Sequence, residues 1–231
     1  MGAIRDKVRP KINKTKARVV VVDDHPIVRR GLVQMINNEG DLEVCGEAET
    51  IVEALKVVAA TKPDVAIVDL YLKGTSGLEL LKDVKVRYPK MPVLVLSMYD
   101  ESIYAERALR AGARGYMMKE EATERVLVAI RRILAGQIYL SETMAARLLH
   151  LFVDGRRDHG SSPTDRLSDR ELEVFQLIGN GLGNSQIAAK LHLSAKTIET
   201  YRAHIKDKLN LQDSTELLRA AIQWSQGIGG G

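Results

Sequence analysis

One cysteine, two phenylalanines, one tryptophan and six prolines in 231 residues leave several kinds of protein out. A single thiol makes no internal disulfide, so the chain is no cross-linked secreted scaffold and suits a reducing compartment. Cys45, in the strand-like LEVCGEA, reads as a small core residue. No apolar run approaches the roughly 18 residues that span a bilayer, and MGAIRDKVRPKINKTKAR lacks the apolar stretch of a secretory leader. A cytoplasmic protein without membrane contact is expected. Strong charge of one sign is also missing, since the net charge is only +4. Seven Lys and Arg against one Asp fall in the first 18 residues, whereas residues 167–231 hold seven of each. Residues 1–17 therefore read as a basic, disordered tail, and binding to nucleic acid must be argued from a motif rather than from bulk charge.

What is present is an alternation. VVVV (19–22), LEVCGEA (42–48), VAIVD (65–69), VLVLS (93–97) and GYMMK (115–119) read as buried parallel strands. The segments between and after them, such as TIVEALKVVAA and TERVLVAIRRILAG, place apolar residues at i, i+3 and i+4 like amphipathic helices. Five such units over residues 18–136 predict an α/β fold, a five-stranded doubly wound parallel sheet with helices on both faces. Residues 137–166 join this unit to the next: LSETMAARLLHLFV (140–153) predicts one more helix, and DGRRDHGSSPTDR (154–166) predicts a flexible linker. From residue 167 to about 226 four helical segments predict a small all-α domain. They open at Ser168, with Glu171 completing a capping box, at Ser185, at Ser194, and at Asp213 or Ser214. The closing QGIGGG reads as disordered.

The polar residues that end the apolar runs carry the chemistry. Asp23 and Asp24 follow the first run, Asp69 the third, Ser97 the fourth and Lys119 the fifth. In an open α/β sheet the carboxyl ends of the strands form the ligand crevice, so these groups converge on one rim. Three neighbouring carboxylates make a hard, oxygen-rich site suited to Mg²⁺. A carboxylate that attacks phosphorus gives an acyl phosphate, whose charge needs a cation and a hydroxyl donor nearby. Lys119 and Ser97 have those types. His25 reads as a turn residue opening the first helix before Pro26, not as a metal ligand.

These residues, with Gly77 eight positions after Asp69 and Tyr116 three before Lys119, make residues 18–136 resemble the receiver domain of two-component response regulators, a flavodoxin-like fold. The resemblance implies that Asp69 accepts phosphate from a sensor histidine kinase. It implies that Asp24, Asp69 and the Tyr71 carbonyl ligate Mg²⁺, with Asp23 acting through water, that Ser97 and Lys119 grip the phosphoryl oxygens, Ser97 moving toward them on phosphorylation, and that Tyr116 turns inward afterwards. Leu72 and Lys73 stand where the family usually has Met-Pro, and Glu120 where it commonly has Pro. Tyr71 and Tyr99, each two residues past a phosphoryl-contacting position, border the path of attacking water, and their bulk is expected to slow loss of the phosphate.

The run LSDRELEVFQLIGNGLGNSQIAAKLHLSAKTIETYRAHIKDKLNL resembles the helix-turn-helix domain of the LuxR and NarL/FixJ class. Its second helix then enters the major groove of double-stranded DNA. Helical spacing puts Ile198, Ile205 and Leu209 on the core stripe, with Tyr201 at its edge. Lys196, Thr197, Glu199, Thr200, Ala203 and Lys206 face outward toward DNA. Asn184 and Ser185 are placed to hold backbone phosphates. The last helix, with Leu217, Leu218, Ala221, Ile222 and Trp224 near one side, supports either a homodimer on DNA or the domain's own core.

The expected function is a phosphorylation-dependent transcriptional regulator, not an enzyme. One alternative is a regulator that uses its receiver only for dimerisation. Another is a Mg²⁺-dependent aspartyl-phosphate hydrolase, which usually needs a second acid where this chain has Tyr71.

Overall fold

A computed structural model describes residues 15–72, 75–122, 125–153 and 163–226. The basic tail up to residue 14, Lys73, the start of TERVLV, linker residues 154–162 and the closing glycines lie outside the described residues.

Five parallel strands form one sheet: β1 (Ala17–Val22), β2 (Leu42–Ala48), β3 (Val65–Val68), β6 (Val93–Ser97) and β7 (Gly115–Met118), in the order β2-β1-β3-β6-β7. The helices are α1 (Pro26–Asn37), α2 (Ile51–Thr61), α3 (Gly77–Arg87), α4 (Glu101–Ala111) and α5 (Arg125–Leu134). Successive side chains on each strand serve opposite faces. Val20, Val22, Ala66, Val68 and Val95 pack in one cluster with residues of α2, α3 and α4. Val19, Val21, Val65, Ile67, Leu94 and Leu96 pack in the other with Leu32 and Ile36 of α1 and Val126, Ile130 and Ile133 of α5. Burial on both faces is why these strands read as continuous apolar runs. Strand order reverses at β1 and β3, which opens the crevice between their carboxyl ends.

The sequence pattern did not contain a two-stranded hairpin, β4 (Tyr71–Leu72) with β5 (Thr75–Ser76), between Asp69 and α3. Gly77 is required there. A Cβ on it would lie 2.1 Å from the Asp69 carbonyl oxygen and 2.8 Å from Leu70 Cα. Beyond α5, Tyr139 forms a bridge with Gly115 on the edge strand, and α6 (Glu142–Val153) packs along α4 through buried Met144.

The C-terminal unit comprises α7 (Asp169–Gly179), α8 (Asn184–Leu191), α9 (Ala195–Leu209) and α10 (Ser214–Ser225). Ser168 and Glu171 form the expected capping box, Ser194 caps α9, and of the two candidates for α10 it is Asp213 that caps it. Ser185 does not cap α8. That helix starts at Asn184, one residue earlier, and its cap is Gly183, whose N–H donates to the Gln186 side chain at 2.9 Å. Leu217 and Ala221 of α10 are fully buried, Trp224 packs on Phe175 at 5.6 Å between ring centroids, and Leu218 is exposed.

Candidate functional site

The crevice brings together the residues that end the strands. Asp23 and Asp69 are each 2% exposed and Ser97 is fully buried. Backbone bonds fix the corner, with Asp23 N donating to Ala48 O at 3.1 Å and Asp69 N to Val22 O at 2.9 Å. Arg29 of α1 braces it by donating to the Asp23 carbonyl at 2.7 Å while pairing with Glu49. The Lys119 ammonium lies 2.6 Å from both Asp23 Oδ2 and Asp69 Oδ2, and its side chain is almost as buried as theirs. Burial pushes the Asp69 carboxyl up to about 6; the Lys119 charge pulls it back, and the Asp23 charge adds to the rise. A buried like-charged pair of this kind is relieved by a cation between its members or by protonation of one of them.

His25 departs from expectation. It occupies the position before α1, but its side chain makes no capping bond. Instead the half-exposed ring places Nδ1 2.9 Å from Asp24, 3.2 Å from Asp23 and 3.8 Å from Asp69. Asp23, Asp24, His25 and Asp69 can each present a ligand atom with all of these within 4.8 Å of one another. The corner brings the imidazole there: Asp23 Oδ1 accepts the His25 N–H at 2.8 Å, which folds the residue back over the carboxylates.

Ser97 and Tyr116 meet at Tyr99 on the edge of the crevice. Ser97 Oγ accepts the Tyr99 N–H at 3.2 Å. Tyr116 is already inward, 1% exposed, and donates to the Tyr99 carbonyl at 2.8 Å. Tyr71 N in turn donates to Asp69 Oδ1 at 3.2 Å.

The side chains of Tyr71 and Tyr99 are half-buried. They reach the C-terminal unit. Tyr71 donates its hydroxyl to the Lys190 carbonyl at the end of α8 at 2.6 Å, with the Arg170 guanidinium 5.6 Å from its ring centroid. Tyr99 donates to the buried carboxylate of Glu173, which also pairs with Arg170. Tyr104 stacks on Tyr99 with centroids 4.8 Å apart and donates to Gln176 at 3.1 Å. Burial pushes the Tyr71 phenol up to about 12 and those of Tyr99 and Tyr104 well above the ordinary range, so all three stay donors. Arg107 of α4 completes the junction, donating to Thr164 O at 2.8 Å, Leu167 O at 3.0 Å and Asp169 at 3.1 Å. Sequence reasoning missed this surface. In the structure α7 buries five residues in succession, Glu171 to Phe175, two of them charged, which is how a helix covered on every side looks.

In the C-terminal unit α8 and α9 form a helix-turn-helix. His192 takes a left-handed conformation and Leu193 N bonds back to Ala188 O at 2.9 Å, which ends α8 and turns the chain into α9. Ile198 and Ile205 are fully buried, while Lys196, Glu199, Thr200 and Ala203 are exposed and Thr197 and Lys206 half-exposed. At the start of α8, Ser185 is exposed and Asn184 half-exposed. The receiver docks on α7 and the end of α8, so the outward face of α9 stays open.

Comparison with known proteins agrees with both units. Residues 19–131 match the response regulator receiver domain, and residues 165–221 match the bacterial regulatory proteins of the luxR family. Over 210 residues the chain is 37% identical to the oxygen regulatory protein NreC of Staphylococcus aureus, a match covering 89% of this chain and 97% of that one. The chain is a response regulator. It belongs to the class that joins a receiver to a LuxR-type DNA-binding domain. Among solved structures, the regulator resembles RcsB of Salmonella enterica serovar Typhimurium, bound to a promoter in the presence of phosphomimetic BeF3- (TM-score 0.57, 26% identity, 89% of this chain and 98% of that one). It also resembles a LuxR-family two-component response regulator from Aurantimonas (TM-score 0.56, 33% identity, 60% of this chain and 99% of that one). No helix of the described residues is long and apolar enough to cross a membrane.

Proposed function

We propose that the regulator is switched by phosphate on Asp69, received from a sensor histidine kinase, and that the switch controls binding to double-stranded DNA. The observation that carries this is the grip of Lys119 on Asp23 and Asp69 at the strand-order reversal. An Asp69 oxygen forms a bond to phosphorus as the kinase's N–P bond breaks, and the leaving imidazole takes up a proton. Lys119, held between the carboxylates, is within reach of the phosphoryl oxygens, and the Ser97 hydroxyl supplies a second contact.

The donor set fits Mg²⁺, because the carboxylates of Asp23, Asp24 and Asp69 present hard oxygen atoms close together, and that ion takes one or two carboxylates and keeps several waters. Asp24, Asp69 and the Tyr71 carbonyl would hold it, with Asp23 acting through water and His25 beside them. When bound, Mg²⁺ neutralises the charge on the phosphoryl oxygens and on the acceptor.

On DNA, Lys196, Thr197, Glu199, Thr200, Ala203 and Lys206 face the major groove, and Asn184 and Ser185 meet backbone phosphates. Glu199 can accept from cytosine N4 but repels phosphate, which gives this face a base preference of its own. Exposed Leu218 on α10 gives a homodimer on DNA an apolar contact. The protein acts in the cytoplasm, as a regulator rather than as a turnover enzyme.

Selection of duplexes from a random library, with and without an acyl-phosphate donor and Mg²⁺, tests this reading. Enrichment of one operator that depends on the donor and is lost in Asp69→Ala supports it. Equal enrichment without donor and in Asp69→Ala favours a receiver that serves only for dimerisation, and sustained release of phosphate from small monoesters favours a hydrolase.

A further inference from the structure

We propose that the crevice also takes a nitrogen-accepting divalent ion of the Zn²⁺ class, with His25 as a ligand beside Asp23, Asp24 and Asp69, and that this ion closes the site to phosphate. The first half stands on the geometry of four side chains; the second rests on the function proposed above.

The His25 ring makes no capping bond to the helix it precedes. Its Nδ1 lies 2.9 Å from Asp24 Oδ1, 3.2 Å from Asp23 Oδ1 and 3.8 Å from Asp69 Oδ2. Zn²⁺ holds imidazole nitrogen and carboxylate oxygen at about 2.0–2.2 Å in a tetrahedron, which sets neighbouring ligand atoms roughly 3.4 Å apart. The three distances straddle that edge, and one atom from each of the four residues lies within 4.8 Å of every other. Backbone bonds hold the corner in this shape: Asp23 Oδ1 accepts the His25 N–H at 2.8 Å, and Arg29 donates to the Asp23 carbonyl at 2.7 Å. The ring and the carboxylates need only draw in around an ion.

The choice of ion follows from the nitrogen. Mg²⁺ takes oxygen ligands and keeps several waters, so an imidazole adds little to its binding. Imidazole suits Zn²⁺, Ni²⁺ and their neighbours in the first transition row. Such an ion takes the place of the proton with which Nδ1 faces the carboxylates; that proton passes to water, and the ring keeps its other N–H.

Three carboxylates and one imidazole fill the four positions of a closed zinc site, leaving none for a phosphoryl oxygen. Asp69 enters this set through Oδ2, since Oδ1 is the atom that accepts the Tyr71 N–H. The ion thereby displaces Lys119 from Oδ2 and engages the acceptor carboxylate itself. A set built around Mg²⁺ and its waters leaves room for the phosphoryl group. The two ions therefore compete for one crevice with opposite effects on transfer.

The test compares the full wild-type chain with His25→Phe, which keeps a ring but no nitrogen, and with His25→Ala. Calorimetry gives the affinities for Zn²⁺ and Mg²⁺, and Co²⁺ reports coordination, because its visible absorption is strong in four-coordinate and weak in six-coordinate sites. A strong Co²⁺ band that Zn²⁺ displaces is expected in the wild type and is expected to be lost in both variants. Zn²⁺ affinity should fall at least about tenfold in the variants, while Mg²⁺ affinity changes less than about twofold. With acetyl phosphate and millimolar Mg²⁺, Zn²⁺ should stop wild-type phosphorylation at its dissociation constant measured in the same buffer, and the variants should need about tenfold more. Circular dichroism checks that each variant is folded. Equal Zn²⁺ affinity in the wild type and a folded variant overturns the inference, as does an equal loss for Zn²⁺ and Mg²⁺, which would make His25 a residue that merely shapes the corner. Zn²⁺ bound through His25 without slowing phosphorylation overturns the closing of the site. A wild-type chain that takes no phosphate on Asp69 in Mg²⁺ alone overturns the proposed function, and the binding measurements still decide whether His25 is a ligand.

Discussion

Replacing Lys119 by Met removes the one ammonium that lies 2.6 Å from both Asp23 and Asp69 while keeping a side chain of similar length. The two carboxylates, each 2% exposed, then face one another with the half-exposed His25 ring and the backbone N–H groups of His25 and Tyr71 beside them. Breaking a buried ion pair by deleting one partner costs roughly 3–5 kcal/mol. Here the loss falls at the lower end, because Asp69 is already pushed up to about 6 and can escape by taking a proton. About 3 kcal/mol lowers the melting temperature of a domain this size by roughly 10 °C. Divalent cation competes with Lys119 for the same oxygens, so the variant should bind Mg²⁺ more tightly and recover more of its stability on addition. Thermal unfolding followed by circular dichroism, at neutral pH in EDTA and in millimolar Mg²⁺, measures both effects. A variant as stable as the wild type in EDTA would refute the view that Lys119 holds the carboxylates together.

Arg107→Ala removes the bonds to Thr164 O, Leu167 O and Asp169; charge-assisted bonds contribute about 1.5–3 kcal/mol each, so small-angle scattering should show separated domains with both still folded. Gly77→Ala forces a Cβ to within 2.1 Å of the Asp69 carbonyl oxygen, which the backbone cannot yield without moving the acceptor; urea denaturation should show a loss of about 1–3 kcal/mol and phosphorylation should slow. Burial works against the Glu171 charge, but Lys208 at 2.6 Å and the Ser168 N–H at 2.7 Å outweigh it, leaving the carboxyl below its ordinary value. Its contribution to stability is therefore complete above the unfolded-state pKa and is lost as pH falls through the lower folded-state value. Acid titration of stability should show this slope, and Glu171→Gln should flatten it.

The receiver's strands were legible because burial on both faces writes itself as unbroken β-branched runs, and Asp23, Asp69, Ser97 and Lys119 were legible because each ends such a run. The open face of α9 followed from helical spacing in the same way. The junction was not. Arg107, Asp169, Arg170 and Glu173 are residue types that belong by default to solvent, and a polar interface has nearly the composition of an ordinary surface. Tyr71 and Tyr99 were noticed for their places beside Asp69 and Ser97, but nothing local in the sequence says that their hydroxyls meet residues 74 to 119 positions away. His25 shows a smaller gap of the same kind. Its place before Pro26 announced a helix start, whereas the ring's direction was set by the Asp23 carboxylate accepting its backbone N–H.

The central claim is that phosphate on Asp69 changes affinity for DNA. The most direct measurement is the dissociation constant of one preparation for its selected duplex, before and after treatment with acyl-phosphate donor and Mg²⁺, at fixed salt. Binding about 5- to 150-fold tighter after treatment, with no change in Asp69→Ala, is the expected result. Equal affinity of the phosphorylated and unphosphorylated chain, or an equal gain in Asp69→Ala, would contradict it.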